Sequence, residues 1–267
     1  GRIVRQGRVL HHGRRLGDQA EAPSRYCTLS PVVFPAQVAA DPFDAVQTEA
    51  SPVTRPADLF LPERRNSRGL DLSDPAMLER LERRRKAFAE RLWRAAPLLD
   101  GVVSGAEIVA ITNPANGSPV GEVVLADLSD VEVAIDAAER HSLDWSSRPV
   151  EARADILVKA SELFESHASE FYALLAREAG KTLADAVAEL REAVDFLRYY
   201  ADGAAGLQNP ARGVFACISP WNFPLAIFSG QIGAALAAGN AVIAKPAEQT
   251  PLIAHLAVTL LHKAGVP

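Results

Sequence analysis

The sequence predicts an α/β fold: an incomplete doubly wound nucleotide-binding sheet with a helical layer N-terminal to it. Three observations lead there. From Val214 onward the pattern alternates strand, turn, helix, strand, helix, which predicts parallel strands joined by right-handed crossovers. Ahead of it run two long segments with apolar residues at helical spacing. The 267 residues are 48% hydrophobic and 23% charged, the balance of a chain that builds a core.

Taken in order, residues 1–30 carry Arg2, Arg5, Arg8, Arg14, Arg15 and Arg25 against Asp18 and Glu21, with almost no periodicity. They read as a poorly ordered arm, with nucleic-acid contact as the alternative. Against that alternative stands a net charge of −5. Residues 31–70 hold Pro31, Pro35, Pro42, Pro52, Pro56 and Pro62 and read as an extended linker. The folded part is therefore expected over 71–267.

A helix should start at Asp74-Pro75, because aspartate accepts from orphan N–H groups and proline suits the first turn. Leu78, Leu81, Phe88 and Leu92 fall on one face of it. Its basic run, Arg83 to Lys86, is interleaved with Glu79, Glu82 and Glu90 and reads as a solvated face of ion pairs. Ile108, Ala110 and Thr112 alternate as a strand, Asn116-Gly117 is a hairpin turn, and Val120, Val123 and Val124 return. Ser129 to Glu132 has the spacing of a capping box for a helix through Val131, Ile135 and Ala138.

One helix is expected from Ile156 through Phe164 and Leu175 to a stop at Gly180, and a second through Val187, Leu190, Val194 and Leu197. The strand Val214–Ile218 leads into an irregular turn, Ser219 to Pro224. A small-residue helix ends at Gly239-Asn240, Ala241–Lys245 forms a second strand, and Thr250-Pro251 opens the last helix. A sheet of only two such strands leaves an unpaired edge and an unmet apolar face.

The most apolar stretch, Val214 to Ala244, is interrupted by Pro220, Asn222, Pro224, Gln231 and Asn240, so no membrane span is expected. Two cysteines, Cys27 and Cys217, make no disulfide framework and fit a reducing compartment; a cytoplasmic location is expected. Gly1 at the start and a helix stop at the end suggest a piece of a longer protein. The six histidines show no metal spacing, so no metal site is expected.

Ligands of open α/β sheets gather beyond the carboxyl ends of the strands. Lys245 ends an apolar strand and Glu248 follows three residues later. The pair fits either a snorkelling lysine or a couple that grips a ribose diol, with the glutamate disfavouring a 2′-phosphate. Asn222, braced between Pro220 and Pro224, fits either a turn asparagine or a rigid oxyanion donor. Cys217 sits inside a strand and reads as core rather than nucleophile.

The segments Cys217-Ile-Ser-Pro-Trp-Asn-Phe-Pro-Leu225 and Ala244-Lys-Pro-Ala-Glu-Gln-Thr-Pro251 resemble the cofactor-binding core of the aldehyde dehydrogenase superfamily. Arg177-Glu-Ala-Gly-Lys-Thr-Leu183 and Asn113-Pro-Ala115 resemble its upstream segments. Pro62 to Leu72 and Glu192-Ala-Val-Asp-Phe-Leu-Arg-Tyr-Tyr200 are similar to the L-glutamate γ-semialdehyde (1-pyrroline-5-carboxylate) dehydrogenase branch, in particular to the C-terminal half of bifunctional proline-utilisation proteins.

The resemblance implies NAD-dependent oxidation of L-glutamate γ-semialdehyde to L-glutamate, through attack by a cysteine thiolate, hydride transfer and hydrolysis by a glutamate base. By position it assigns Asn222 as oxyanion donor. Ile218, Ser219, Pro220 and Trp221 would line the cofactor, Lys245 and Glu248 would hold its ribose, and Glu192 and Phe223 would lie near the aldehyde. It also implies a fused or partner proline dehydrogenase and a homo-oligomer in the full-length protein. In that family the nucleophile and base follow the second motif, so this chain alone is expected to be inactive and Cys217 is not the nucleophile. An aldehyde dehydrogenase of other specificity and a non-catalytic interaction module are the competing readings.

Overall fold

A computed structural model describes residues 53–267. The expected arm, residues 1–30, and the linker as far as residue 52 lie outside the described residues. Val53–Pro267 packs as one unit.

The elements run α1 (Pro75–Lys86), β1 (Trp93–Ala95), β2 (Ile108–Thr112), β3 (Pro119–Val124), α2 (Leu128–Ser147), α3 (Val150–Ser166), α4 (Ala168–Glu178), α5 (Leu183–Gly203), β4 (Val214–Ile218), α6 (Ala226–Ala237), β5 (Ala241–Lys245) and α7 (Pro251–Ala264). They form a mixed α/β arrangement with two small sheets. The first has the order β1-β3-β2, with β1 parallel and β2 antiparallel to β3. The second pairs β4 and β5 in parallel, with α6 as the crossover.

The expected start of α1 is observed: Asp74 Oδ1 accepts from Ala76 N–H at 2.9 Å ahead of Pro75. The helix stops at Lys86, earlier than expected. Leu92 is 61% exposed and off the helix, and the next residues pair as β1 instead. The β2–β3 hairpin forms with Gly117 at φ 71°, in the left-handed region that glycine tolerates. Its inward face carries Ile111, which is buried, while Ile108 is exposed.

The capping box of α2 begins two residues before the expected one. Asp127 accepts from Asp130 N–H at 3.0 Å, and Asp130 accepts from Asp127 N–H at 3.1 Å. Asp130 also accepts from Ser104 N–H and Gly105 N–H, tying the preceding loop to the helix. These donors hold the Asp130 carboxyl down at about 2. A folded value below the ordinary 3.8 stabilises the fold above that pH, and the contribution is lost as pH falls toward 2. Asp130→Asn is expected to lower the melting temperature at pH 7 and to flatten the acid limb of a melting-temperature profile between pH 4 and pH 2. An unchanged acid limb would count against this latch.

The helix expected over 156–180 is two helices broken at His167, whose φ of −97° and ψ of 15° leave the helical register. The break contains neither proline nor glycine. Phe164 and Phe171 face each other across it, both fully buried, with ring centroids 5.2 Å apart. Gly180, at φ 66°, ends the segment as expected. Val187, Leu190, Val194 and Leu197 form the buried stripe of α5.

Helix α6 approaches α5 through Gly230 and Gly233: a Cβ at Gly230 would meet the Phe196 ring at 2.9 Å. The end of the expected linker is held to this layer. Ser67 N–H and Oγ donate to Asp195 at 2.6 and 2.8 Å, and Arg198 donates to the Asn66 carbonyl and to Glu165. Arg153 and Trp145 donate to carbonyls at the C-terminal end of α6, which fixes that helix from its other end. Phe215 and Ile218 of β4 and Leu128, Val131, Ile135 and Leu143 of α2 remain exposed, as an unmet apolar face requires. No helix among the described residues is long and apolar enough to cross a membrane.

Candidate active site

Strands β4 and β5 end level with each other. Ile218 stands opposite Lys245 in the parallel register, and Ser219 N–H donates to the Lys245 carbonyl at 3.3 Å. Whatever follows each strand therefore emerges at one edge. After β4 come Ser219, which is buried, Pro220, which is half-buried, and the exposed Trp221 and Asn222. After β5 comes Glu248, whose Oε1 lies 3.4 Å from Lys245 Nζ, with both side chains largely exposed. An ammonium and a carboxylate side by side on an exposed edge match the vicinal hydroxyls of a ribose, one donating and the other accepting.

A second group surrounds Lys181. Its Nζ lies 3.0 Å from Glu189 Oε1 and 4.6 Å from the centroid of the Phe223 ring. Glu192, one helical turn beyond Glu189 on α5, has its carboxyl pushed up by burial and by the Glu189 charge, with Lys181 opposing. The structure thus brings Ile218, Ser219, Lys245 and Glu248 together at the strand ends, and Phe223 and Glu192 together around Lys181. Asn222 lies in the turn between the two groups. Among the described residues its side chain makes no hydrogen bond, to its own turn or to a neighbour.

Cys217 is 6% exposed, and burial pushes its thiol up, away from the thiolate a nucleophile needs. Among the described residues no group of three or more His, Cys, Asp or Glu could hold a metal ion. A surface depression of about 410 Å³ between α1 and α4, lined by Glu79, Arg83 and Arg177 among others, shares no residue with the strand-end group.

Two buried carboxylates were missed by sequence reasoning. Glu189, 2% exposed, accepts from Leu225 N–H and Ala226 N–H at the start of α6 at 3.3 and 2.9 Å. Glu178, 4% exposed, accepts from Leu252 N–H and Ile253 N–H at the start of α7 at 2.7 and 2.9 Å. The available signal was their spacing. Glu189 is three residues after Ala186 and four before Ala193, and Glu178 is three after Leu175, so each interrupts the apolar stripe of its own helix.

The model of the aldehyde dehydrogenase family matches residues 102–267. The chain is 44% identical over 246 residues to the bifunctional protein PutA of Escherichia coli, covering 86% of this chain and 19% of that protein. It is 38% identical over 214 residues to a 1-pyrroline-5-carboxylate dehydrogenase of a Geobacillus strain, covering 70% of this chain and 41% of the other. A crystal structure of 1-pyrroline-5-carboxylate dehydrogenase from Thermus with bound NAD superposes with a TM-score of 0.70 at 30% identity, over 76% of this chain and 43% of that one. The chain therefore spans about a fifth of the length of the PutA proteins and about two fifths of the single-function dehydrogenases. On this evidence the chain belongs to the aldehyde dehydrogenase family, on the branch that holds the 1-pyrroline-5-carboxylate dehydrogenases and the PutA proteins.

Proposed function

We propose that this chain supplies the dinucleotide-binding edge and the oxyanion donor of an NAD-dependent enzyme that oxidises L-glutamate γ-semialdehyde to L-glutamate. The observation that carries this reading is the level ending of β4 and β5, which delivers the Asn222 turn and the Lys245–Glu248 couple to one edge. NAD, when bound, supplies the hydride acceptor. Lys245 and Glu248 hold the adenosine ribose, and the Glu248 carboxylate repels a 2′-phosphate, which favours NAD over NADP. The exposed side chains of Ile218 and Trp221, with Ser219 and Pro220 between them, would line the cofactor.

Asn222 donates to the aldehyde oxygen as negative charge develops there. A neutral amide does this without having to shed a proton. Phe223 offers an apolar wall to the substrate chain and Glu192 a polar one. The nucleophile and the general base are assigned to no residue of this chain; the buried Cys217 is inert. The PutA relatives are named bifunctional, which supports a proline dehydrogenase activity joined to the full-length protein as the source of the semialdehyde.

Asn222→Ala in the full-length protein is expected to lower kcat for L-glutamate γ-semialdehyde by about 10²–10³-fold, the usual effect of removing one oxyanion donor. NAD⁺ affinity, measured by equilibrium titration, should stay unchanged. An unaltered kcat overturns the assignment. Faster turnover of simple aliphatic aldehydes than of the semialdehyde overturns the substrate.

A further inference from the structure

Glu189 is a buried carboxylate without a task in the reading above. One of its oxygens accepts the first amides of α6, Leu225 N–H and Ala226 N–H. The other lies against Lys181 Nζ, whose side chain is only 16% exposed. The same ammonium sits over the Phe223 ring. One carboxylate and one ammonium, both anchored on the helical layer, thus hold the chain just after Asn222 in two ways: by its ring at Phe223 and by its amides at Leu225 and Ala226.

We propose that Glu189 and Lys181 are positioning residues for Asn222. They fix the Ser219–Pro224 turn against α5 so that the amide is already in place when charge develops on the substrate. This rests on the assignment of Asn222 as oxyanion donor. The value of such a donor lies in preorganisation: a donor that must first be ordered loses much of its effect. Pro220 and Pro224 stiffen the turn from within but do not place it. Placement requires a bond to a separate rigid element, and α5 supplies it.

Glu178 provides an internal comparison. It too accepts the two leading amides of a helix, α7, with comparable burial, yet among the described residues no ammonium joins it to a ring in the preceding turn. If Glu189 served only to cap a helix, the two residues would behave alike.

The test is a double-mutant cycle in the full-length protein, with kcat, KM and NAD⁺ affinity measured beside hydrogen exchange followed by mass spectrometry. Glu189→Ala is expected to lower kcat about ten- to a hundredfold, part of what losing the amide itself costs, with the aldehyde KM and the NAD⁺ affinity unchanged. Amides around 222–228 should exchange faster while those around 250–256 do not. Combined with Asn222→Ala, it should cause no further loss, because both changes remove one interaction. Glu189→Gln, which keeps an acceptor oxygen, should restore most of the rate and the protection. Where Glu189→Ala does not accumulate, Lys181→Met takes its place in the cycle with the same expected non-additivity.

Additive losses at Glu189 and Asn222 overturn the proposal, as does a Glu178→Ala variant with the same non-additive loss. The donor assignment fails separately, and takes this proposal with it, when Asn222→Ala alone leaves kcat untouched.

Discussion

Gly121→Ala is expected to destabilise the protein by about 3 kcal/mol, the upper part of the range for overpacked sites, and to detach β1 from its sheet. Gly121 stands opposite Trp93 in the parallel β1–β3 register. A Cβ there would run into the Trp93 carbonyl, which is backbone and cannot rotate aside. Trp93 is the anchor of this corner. Its Nε1 donates to Glu170 at 2.9 Å, and the same carboxylate pairs with Arg91 at 3.0 Å. Arg177 lies over its ring and donates to the carbonyls of Phe88 and Pro119. Urea unfolding gives the free-energy change, and tryptophan emission shows whether Trp93 reaches water. A loss below about 1 kcal/mol would show that β1 can move away cheaply.

The second large effect concerns pH. Burial pushes the Glu178 carboxyl up to about 8, against the pull of the two amides that donate to it. Below the ordinary value of 4.5 the group is protonated in both folded and unfolded chains, and its contribution to stability is complete. As pH rises, the unfolded chain ionises first, so stability declines from about 4.5 and levels off above about 8. Each unit of that interval corresponds to about 1.4 kcal/mol, so the whole window amounts to a few kcal/mol.

Glu178→Gln cannot ionise. The difference in unfolding free energy between the two proteins should therefore shift steadily in favour of the glutamine form between pH 5 and pH 8, with the other titrating groups cancelling. Parallel stability curves across that interval would show that Glu178 is already ionised where it sits.

Much of this fold was legible because its signals are local. Asp74-Pro75, Gly117, Gly180 and the strand–turn–helix pattern after Val214 each act within a few residues, and each is found where the sequence places it. The misreadings concern contacts between distant segments. Trp93–Ala95 is too short to announce itself and becomes a strand only because β3 pairs with it. The break at His167 carries no proline or glycine, and it serves the packing of Phe164 on Phe171. The strand ends were readable through Lys245, Glu248 and the braced Asn222. Glu178 and Glu189 were not, because a glutamate on an amphipathic helix ordinarily faces water; their burial is decided by α6 and α7, dozens of residues away.

Those two carboxylates also set what the neighbouring edge can attract. A helix beginning with free amides is a natural cradle for phosphate. Here the leading amides of both α6 and α7 already donate to the carboxyl oxygens of Glu189 and Glu178. An approaching diphosphate finds these amides already taken, while a sugar hydroxyl does not depend on them. On the proposed reading, the edge formed by β4 and β5 therefore engages the neutral part of the nucleotide, and these two helix starts leave its anionic part to other groups.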